Sequence, residues 1–515
     1  MRDYIIFLWK PLEQRRIIHG VSRDIRLFFY AFTIRLIFSP LALSYMGFVF
    51  KPKLNIESLV PRGLLDFMHE KALTILEEVG IKVANKTLLR RIEGHERFKI
   101  EEGWIRIRSD LIEDLIAENR QKQKYRQCKE DEELFISLGY PGCSWIIDVE
   151  TGHVEPLTTS RLIDATKFID SLHDYGVRGG APGAPVDVHP RLRRILQCLI
   201  GYTFSRSAGP APFESYEEAF YIKRMAEVME QPFGVDIYVV SPLRLEGISL
   251  DRAVPFLEKK DCAWFSVSSM PLAGFTAPVY PIGAFIQGIC ESVGGYAILH
   301  EAYPDISASF SIGAYHCDIR HGNIVFGSPE QTLMDLFGVA LNMFYGKTLY
   351  GVRSFRTMAK NIDLEAQIEK VSSATVGVLT GPGAFIHAGL LSVDEIFSPI
   401  QLVIDCELAR YLMRLTKGLE FTEEEINLSI DAILRCAKKG HYLMDKTTLL
   451  DYRRIYWIPE ILDYSLFHTH RPSPDIIEKA KKIYKEKMKE HEYVLEETKR
   501  KKLEEIHKEA EKNLL

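Results

Sequence analysis

The regular alternation of β-type and helical runs along the middle of the chain constrains its fold more than any other feature. We predict strands near residues 175–180, 202–208, 234–241, 263–269, 306–315, 348–354, 382–389 and 441–445. Helical runs separate them, near residues 188–201, 213–230, 250–260, 281–301, 328–346, 363–380 and 398–417. Parallel strands need a crossover of this length between them, and such crossovers are right-handed. The pattern therefore predicts an α/β fold with parallel strands.

The number of units favours a closed (β/α)₈ TIM barrel over an open, doubly wound sheet. Seven or eight βα units follow one another, and 515 residues leave room for a barrel of about 250 residues with additions. No P-loop or G-x-G-x-x-G motif accompanies them, so we assign no nucleotide site. Barrel enzymes carry their chemistry at the carboxyl ends of the strands, and candidate site residues are sought there.

The rest of the chain adds to this barrel. We interpret residues 51–172 as an N-terminal α+β region, 173–450 as the barrel and 451–515 as a C-terminal helical region. Beyond residue 474 the composition is that of a charged Lys/Glu helix. We expect this helix to be a solvated surface element that takes part in contacts between copies of a homo-oligomer.

Residues 1–50 form a hydrophobic extension with three interpretations. Residues 27–50 carry one charge, Arg35, which leaves a stretch long enough to cross a membrane. Pro40 and the central position of Arg35 count against such a span. The other two interpretations are a translation start at Met46 and an ordered arm packed on the barrel.

Charge and cysteine content narrow the class of protein. The formal net charge of −5 offers no electrostatic reason to expect a nucleic-acid partner. The eight cysteines are scattered and form no C-x-x-C pair, which favours reduced thiols in a cytoplasmic protein. The same spacing argues against a zinc centre, so we predict no metal site in this chain.

Candidate substrate-binding residues follow the predicted fifth, sixth and seventh strands. They are Tyr315, His316, Asp318, Arg320, Glu330, Arg356 and His387. Each has a structural alternative. Asp318 and Arg320 suit a solvated ion pair, Glu330 suits the first turn of a helix, and His387 suits a satisfied core position.

Two further features of the sequence bear on a ligand. Aromatic residues lie at or near the predicted strand ends, where they would suit a cation with no N–H to donate: Phe275, Tyr315, Phe326, Tyr350 and Phe355. Glu291 is a lone carboxylate in an apolar helical run. Because burying it is costly without partners, it either braces a loop through backbone N–H groups or contacts the site.

Six segments carry a family resemblance through their order and spacing. They are HEKALTILEEVGIKV (69–83), IDVETGHVEPLTTSRLIDATKFIDSL (147–172), SPL (241–243), MPLAGFTAPV with ES (270–292), CDIRHGNIVFGSPE (317–330) and NIDLEAQIEK (361–370). In these segments the chain resembles the trimethylamine:corrinoid methyltransferase family, in particular the members without pyrrolysine that demethylate quaternary amines such as glycine betaine. In the last segment Asp363, Ala366 and Glu369 match the family pattern, whereas Glu365 replaces its usual glutamine. The resemblance adds Asp363 to the candidate site.

The resemblance implies transfer of a methyl group from a methylated, quaternary amine to cob(I)alamin on a partner corrinoid protein. Co(I) is itself the nucleophile, so the resemblance assigns no catalytic residue. The chain would orient the substrate and exclude water, with an aromatic wall for the ammonium and Arg320 or Arg356 clamping a carboxylate. Alternatives are trimethylamine as the substrate, another enzyme on the same barrel, and a non-catalytic betaine-binding or regulatory paralogue.

Overall fold

The protein has mixed α/β content in the computed structural model, which describes residues 48–123, 134–347, 353–466 and 474–515. The strands are β1 Phe48–Phe50, β2 Ile81–Val83, β3 Phe98–Glu101, β4 Trp104–Ile107, β5 Ile136–Ser137, β6 Trp145–Ile147, β7 Val154–Pro156, β8 Val177–Arg178, β9 Gly234–Val239, β10 Arg244–Leu245, β11 Trp264–Ser269, β12 Leu272–Ala273, β13 Ser307–Ser311, β14 Tyr315–Asp318, β15 Asn323–Ile324, β16 Arg353–Ser354, β17 Phe385–Ile386, β18 Leu390–Leu391, β19 Ile396–Phe397 and β20 Leu419–Phe421. The α-helices are α1 Ile56–Leu59, α2 Arg62–Glu78, α3 Lys86–Ile92, α4 Ser109–Gln123, α5 Thr159–Ser171, α6 Arg193–Phe204, α7 Tyr216–Val228, α8 Ile248–Lys259, α9 Pro281–Ala302, α10 Pro329–Phe344, α11 Leu364–Thr380, α12 Pro399–Lys417, α13 Glu423–Cys436, α14 Lys446–Ile455, α15 Ile476–Lys489 and α16 Glu497–Leu514.

Parallel strand pairing organises the larger of two compact units, which comprises residues 51–418 and 456–515. Strands β9, β11 and β13 pair in parallel, with β11 in the middle. Strands β16, β17, β5 and β8 form a second parallel sheet in that order. Helices α8 and α9 make the connections from β9 to β11 and from β11 to β13, which confirms the predicted strand–helix–strand units there.

Helix α9 is the apolar centre of this unit. It begins with Pro281 in its first turn, where the missing N–H costs nothing, and its side chains are buried from Gly288 to Leu299. It packs on α2, β11 and β13. Among the described helices it alone is long and apolar enough to cross a membrane, but 78% of its apolar window is buried within the protein, as in a core helix.

Glu291 of α9 braces a loop, as one of its two interpretations predicts. Its carboxylate accepts hydrogen bonds from Leu243 N at 3.0 Å, from the Ser241 hydroxyl at 2.8 Å and from Gln287 Nε2 at 2.8 Å. Burial raises the pKa of Glu291 above its usual value, and these hydrogen bonds oppose the rise. The SPL segment at 241–243 is therefore tied to the core helix through one buried side chain.

Two predicted strands are absent. Residues 202–204 are the last turn of helix α6, and the buried Tyr202 lies on its apolar face. The strand was predicted there because a short apolar run has the same pattern in a buried helix and in a strand. Residues 441–445 form turns ahead of α14. Asp445 accepts hydrogen bonds from Thr447 N and Thr447 Oγ1, so this carboxylate starts a helix and does not end a strand.

The N-terminal α+β region is more closely integrated than predicted. It contains the antiparallel hairpins β3–β4 and β6–β7. However, β5 pairs in parallel with both β17 and β8. A strand from the predicted N-terminal region therefore lies inside the sheet formed by β16, β17 and β8. A two-residue strand is too short to give a recognisable sequence pattern.

The C-terminal region also differs from its prediction of one solvated, charged helix. It forms two helices, α15 and α16, and each buries an apolar face. Helix α15 packs on α5 and α12, and α16 packs on α6 and α7. Arg224 on α7 forms a bidentate ion pair with Glu509 on α16, at 2.7 and 2.9 Å. These helices have few apolar residues, but the helical spacing places those residues on one face, which is enough to pack each helix on its neighbours.

The smaller unit, in its described part, consists of residues 48–50 and 419–455. Strands β1 and β20 pair in antiparallel fashion, with Val49 opposite Glu420. Helix α13 follows with a capping box at Thr422 and Glu425. The membrane-span and translation-start interpretations, and most of the arm, fall on residues 1–47, which lie outside the described residues.

Candidate functional site

Arg356 and His387 meet where two neighbouring parallel strands end. Strands β16 and β17 pair in parallel, so the residues that follow them lie at the same edge of the sheet. Arg356 Nε donates a hydrogen bond to His387 Nε2 over 3.2 Å. The structure therefore brings together two of the predicted site residues.

The backbone at His387 is held in an unusual conformation. Its φ of +65° lies in the left-handed region, which non-glycine residues seldom adopt. A Cβ at Gly139 would lie 3.0 Å from His387 Nε2, so only glycine leaves room for the ring. On the other side, the buried Asp405 accepts hydrogen bonds from Gly389 N and Lys370 Nζ, both at 2.7 Å. The His387 loop is thus fixed from two directions.

Asp394 completes this cluster, and its Oδ1 lies 3.9 Å from His387 Nε2. Within the described part of the chain, Asp394 Oδ1 and His387 Nδ1 are buried without a hydrogen-bond partner. Burial, aided by the charge of Arg356, holds the pKa of His387 well below its ordinary value, so the ring is neutral. Since Nε2 accepts from Arg356, Nδ1 carries the proton. One buried donor and one buried acceptor are therefore available to a ligand.

We expect the free energy of unfolding to fall with rising pH as the Asp394 carboxyl group ionises. Burial raises the pKa of Asp394 from 3.8 to about 6. Its contribution to stability is therefore complete below about pH 4 and is lost as the pH rises through about 6, up to about 3 kcal/mol. The melting temperatures of the wild type and of Asp394→Asn, measured from pH 4 to 7, test this. The wild type should lose stability relative to the variant across that window, whereas parallel curves would contradict the assignment.

The guanidinium of Arg356 is positioned by an aromatic ring and has unused donors. It lies over the Phe326 ring, 4.3 Å from the centroid, and Tyr315 meets the same ring edge-on at 6.2 Å. Among the described residues, the two terminal amino groups of Arg356 donate no hydrogen bond. Burial raises the pKa of Tyr315, and the charge of Arg356 opposes that rise. Arg356 therefore presents a fork of donors beside two aromatic rings, a geometry that suits a carboxylate.

Tyr238, at the end of β9, extends the aromatic surroundings of the cluster. Burial raises its pKa to about 12, and Asp236, Tyr140 and Tyr315 add to the rise through their charges. Tyr238 lies in β9 and Tyr315 in β14. Such aromatic groups can surround a cation that has no N–H to donate.

His316 connects a strand to the following helix. Its Nδ1 is 3.0 Å from the hydroxyl of Ser328, and its backbone N donates to Gln331 Oε1 at 2.8 Å. Ser328 also caps α10 by accepting from Gln331 N. The contacts of His316 are those of a residue that fastens β14 to the start of α10.

Asp318 and Arg320 form the solvated ion pair that was the alternative to a substrate role. Arg320 donates to both Asp318 oxygens at 2.9 and 2.8 Å, and its side chain is 80% exposed. His321 Nδ1 lies 2.8 Å from the same carboxylate. These partners hold the pKa of Asp318 well below its usual range. Nε and one terminal amino group of Arg320 are thus directed at its own loop.

Glu330 and Asp363 both lie at helix N-termini. Glu330 is exposed in the first turn of α10, where the helix dipole stabilises a carboxylate. Asp363 is the N-cap of α11, and its Oδ1 accepts from Ala366 N at 3.1 Å. Neither side chain contacts Arg356 or His387, so the structure does not bring these two residues to the cluster.

The segment 361–370, which resembles the family pattern, holds the loop that carries Arg356. Glu369 Oε2 accepts hydrogen bonds from Thr357 Oγ1 at 2.5 Å and from Met358 N at 2.8 Å. These residues directly follow Arg356, so Glu369 fixes the loop that carries the guanidinium. Glu365, which replaces the usual glutamine, is exposed in the first turn of α11.

Sequence reasoning missed Asp394 and Asp236. Asp394 lies in the largely apolar stretch 390–397 beside a second carboxylate, Glu395, so the sequence did not mark it as a single buried charge. Asp236 alternates with the buried Val235 and Ile237 in β9. Strict alternation is unusual in a parallel strand, because strands of parallel sheets are commonly apolar on both faces. That alternation was a readable sign of a polar, accessible face.

Comparison with known proteins identifies a family for this chain. The family model described as trimethylamine methyltransferase (MTTB) matches residues 51–512. The chain is 23% identical to the glycine betaine methyltransferase of Desulfitobacterium hafniense (strain Y51), over 81% of this chain and 88% of that protein. It is 22% identical to the L-carnitine:corrinoid methyltransferase of Eubacterium limosum, over 82% of this chain and 91% of that protein.

A solved structure is also similar. The crystal structure of the Methanosarcina barkeri monomethylamine methyltransferase (MtmB) matches with a TM-score of 0.42 and 12% sequence identity. The match covers 85% of this chain and 89% of that one.

Proposed function

Because this chain belongs to the trimethylamine methyltransferase (MTTB) family and is an enzyme of the methyltransferase type, we propose that it demethylates a quaternary amine that carries a carboxylate, such as a betaine. The methyl acceptor is the Co(I) of cob(I)alamin on a partner corrinoid protein. The C–N bond breaks with its electron pair left on nitrogen, and a tertiary amine is released. The chain's own residues bind the substrate, orient its methyl groups and exclude water.

One observation carries the choice of a carboxylated substrate. The guanidinium of Arg356 is stacked on Phe326 and keeps both terminal amino groups unused among the described residues. The sequence left Arg320 and Arg356 as alternative clamps. Because Asp318 already occupies Arg320, Arg356 is the better clamp for a bidentate carboxylate. Tyr315 and Tyr238 supply the aromatic surroundings that a trimethylammonium group prefers.

We further propose that the parallel strands close into a (β/α)₈ barrel. The series β9–β11–β13 and the series β16–β17–β5–β8 are both parallel, as the walls of a barrel would be. In this proposal β5 takes the place that we had predicted for residues 441–445. The N-terminal region then supplies one of the seven strands in these two series.

A partner surface is present at the same end of the strands. Phe275, Val279, Tyr280 and Ile319 are between 64% and 74% exposed, although all are apolar or aromatic. They belong to the loops around β12 and β14, which pair with each other. Exposed apolar side chains gathered in this way are typical of an interface. We propose that the corrinoid protein docks on this surface.

The remaining proposals concern assembly and location. An exposed apolar stripe on α11, formed by Leu364, Ile368 and Val371, supports a homo-oligomer. The cysteines in the described ranges are all free thiols, which supports a cytoplasmic location.

The function can be tested with chemically reduced cob(I)alamin as the methyl acceptor. We expect methylcobalamin to form when glycine betaine, carnitine or proline betaine is present, together with the demethylated amine, and no product when the corrinoid is omitted. Absorbance follows the cobalt and NMR follows the amine. Demethylation without any corrinoid would refute the proposal.

The same panel separates the alternatives. Trimethylamine at equal concentration tests the tertiary amine, and a higher kcat/KM for it than for every betaine would contradict the quaternary assignment. Binding of a betaine without methyl transfer, with either free cob(I)alamin or a reduced corrinoid protein, would favour a non-catalytic paralogue.

A further inference from the structure

A polar, accessible face distinguishes the sheet formed by β9, β11 and β13. The register places Trp264 opposite Gly234 and Ser307, Ser266 opposite Asp236 and Ser309, and Ser268 opposite Tyr238 and Ser311. Because successive side chains alternate between faces, these residues all share one side of the sheet.

The opposite face is the apolar one. Val235, Ile237, Val239, Phe265 and Val267 are all buried, and α9 covers them. Parallel sheets are commonly apolar and covered on both faces. On the polar face, however, Asp236 is exposed, and Tyr238 and Trp264 are 39% and 38% exposed. An accessible space lined with polar groups therefore lies against this face of β9 and β11.

An indole ring forms one wall of this space. A Cβ at residue 234 would lie only 2.1 Å from Trp264 Cε2, so the ring lies directly on the backbone of Gly234. Asp236 is two residues further along the same strand, about 7 Å away. Tyr238 follows after the same interval. A carboxylate thus lies between an indole and a phenol on one face.

The carboxylate of Asp236 has no cationic partner in the described part of the chain. The Ser266 hydroxyl donates to its Oδ1, and its Oδ2 has no hydrogen bond there. An unpaired carboxylate flanked by two aromatic rings is complementary to a cation that offers no N–H, since such a cation gains from charge and from π faces but not from directed hydrogen bonds.

We propose that Asp236, Trp264 and Tyr238 form the binding site for the quaternary ammonium group of the substrate. This inference rests on the proposed function and assigns the half of the substrate that Arg356 does not bind. On the carboxylate side, Tyr315 shares the Phe326 ring with Arg356. A zwitterion would then have its carboxylate at Arg356 and its ammonium over Asp236.

Calorimetric titration of the full chain, without corrinoid, tests the site. The probes are glycine betaine and 3,3-dimethylbutanoate, which has the same shape but no positive charge. We expect the wild type to bind the betaine at least about tenfold more tightly than this isostere, whose tert-butyl group carries no charge. Asp236→Asn should weaken betaine binding by about tenfold to a hundredfold and should remove most of this preference. Trp264→Leu should weaken it about tenfold, whereas Trp264→Phe should retain most of the affinity.

Asp305→Asn serves as the matched control for Asp236→Asn. Asp305 is an exposed aspartate just ahead of β13 that pairs with Lys260, and Asp305→Asn should bind as the wild type does. Circular dichroism shows whether each variant is folded. Wild-type affinity and preference in a folded Asp236→Asn variant would overturn the inference.

Failure of this inference is distinguishable from failure of the proposed function. If the Asp236→Asn variant methylates cob(I)alamin as efficiently as the wild type, the ammonium site is wrong while the methyltransferase proposal stands. If the wild type binds the betaine through Asp236 but never methylates the corrinoid, the ammonium site stands and the proposed reaction is wrong.

Discussion

Replacing Arg356 with methionine should raise KM for a betaine enough to lower kcat/KM by about a hundredfold or more. The guanidinium is partly buried against Phe326 and has both terminal donors free, so its loss removes a charged, bidentate hydrogen bond and leaves the carboxylate unpaired, about 3 kcal/mol. Initial rates of cobalt methylation over a range of substrate concentrations measure this. Because the clamp binds ground state and transition state alike, kcat should change much less than KM.

Substrate and position both serve as controls for this variant. Tetramethylammonium has no carboxylate, so its kcat/KM should fall by less than about threefold. Arg320→Ala removes the competing candidate, whose donors go to Asp318 at the surface, and it should leave betaine kinetics nearly unchanged. If Arg320→Ala raises KM for the betaine and Arg356→Met does not, the clamp has been assigned to the wrong arginine.

Breaking the ion pair between Lys370 and Asp405 should cost about 3–5 kcal/mol of stability. Both side chains are fully buried, and the Lys370 Nζ to Asp405 Oδ2 distance is 2.7 Å. Lys370→Met leaves the Asp405 carboxylate buried without its counter-charge. Asp405→Asn likewise leaves the Lys370 ammonium buried without its counter-charge. We expect either variant to lower the melting temperature by about 3 to 5 °C, measured by thermal denaturation.

A surface pair provides the matched control. Lys260 and Asp305 also form a close ion pair, but both side chains are about two-thirds exposed, so Lys260→Met should cost less than about 1 kcal/mol. Equal losses for Lys260→Met and Lys370→Met would show that burial does not set the strength of the inner pair. Asp405 also accepts from Gly389 N, so Asp405→Ala should weaken betaine binding through the His387 loop as well.

The strands and helices with long, regular patterns were predictable from the sequence. The strand predicted at 263–269 is β11, Trp264–Ser269, and the helix predicted at 281–301 is α9, Pro281–Ala302. Both have many apolar residues with one clear period, so local physics and tertiary packing agree. Residues 202–208 were misread because the last turn of a buried helix and a short strand have the same apolar run.

The candidate site was predictable only in part. Arg356 and His387 were named because they follow strands, and the structure joins them through a 3.2 Å hydrogen bond. Asp318, Arg320, Glu330 and Asp363 were named for the same reason, yet their contacts are those of a loop ion pair and of helix N-termini. Position after a strand does not reveal which partner a polar side chain finds.

By itself, the sequence determined the α/β class, the parallel βα units and the family. These properties depend on hydrophobic period and on the order of segments, and both are local or linear in the chain. Only the tertiary structure decided that β5 joins the sheet of β16, β17 and β8, that Arg320 pairs with Asp318 whereas both terminal amino groups of Arg356 stay unpaired among the described residues, and that Asp236 lies on an accessible face between Trp264 and Tyr238. Those outcomes depend on which residues, distant in sequence, come to share a few ångströms of space.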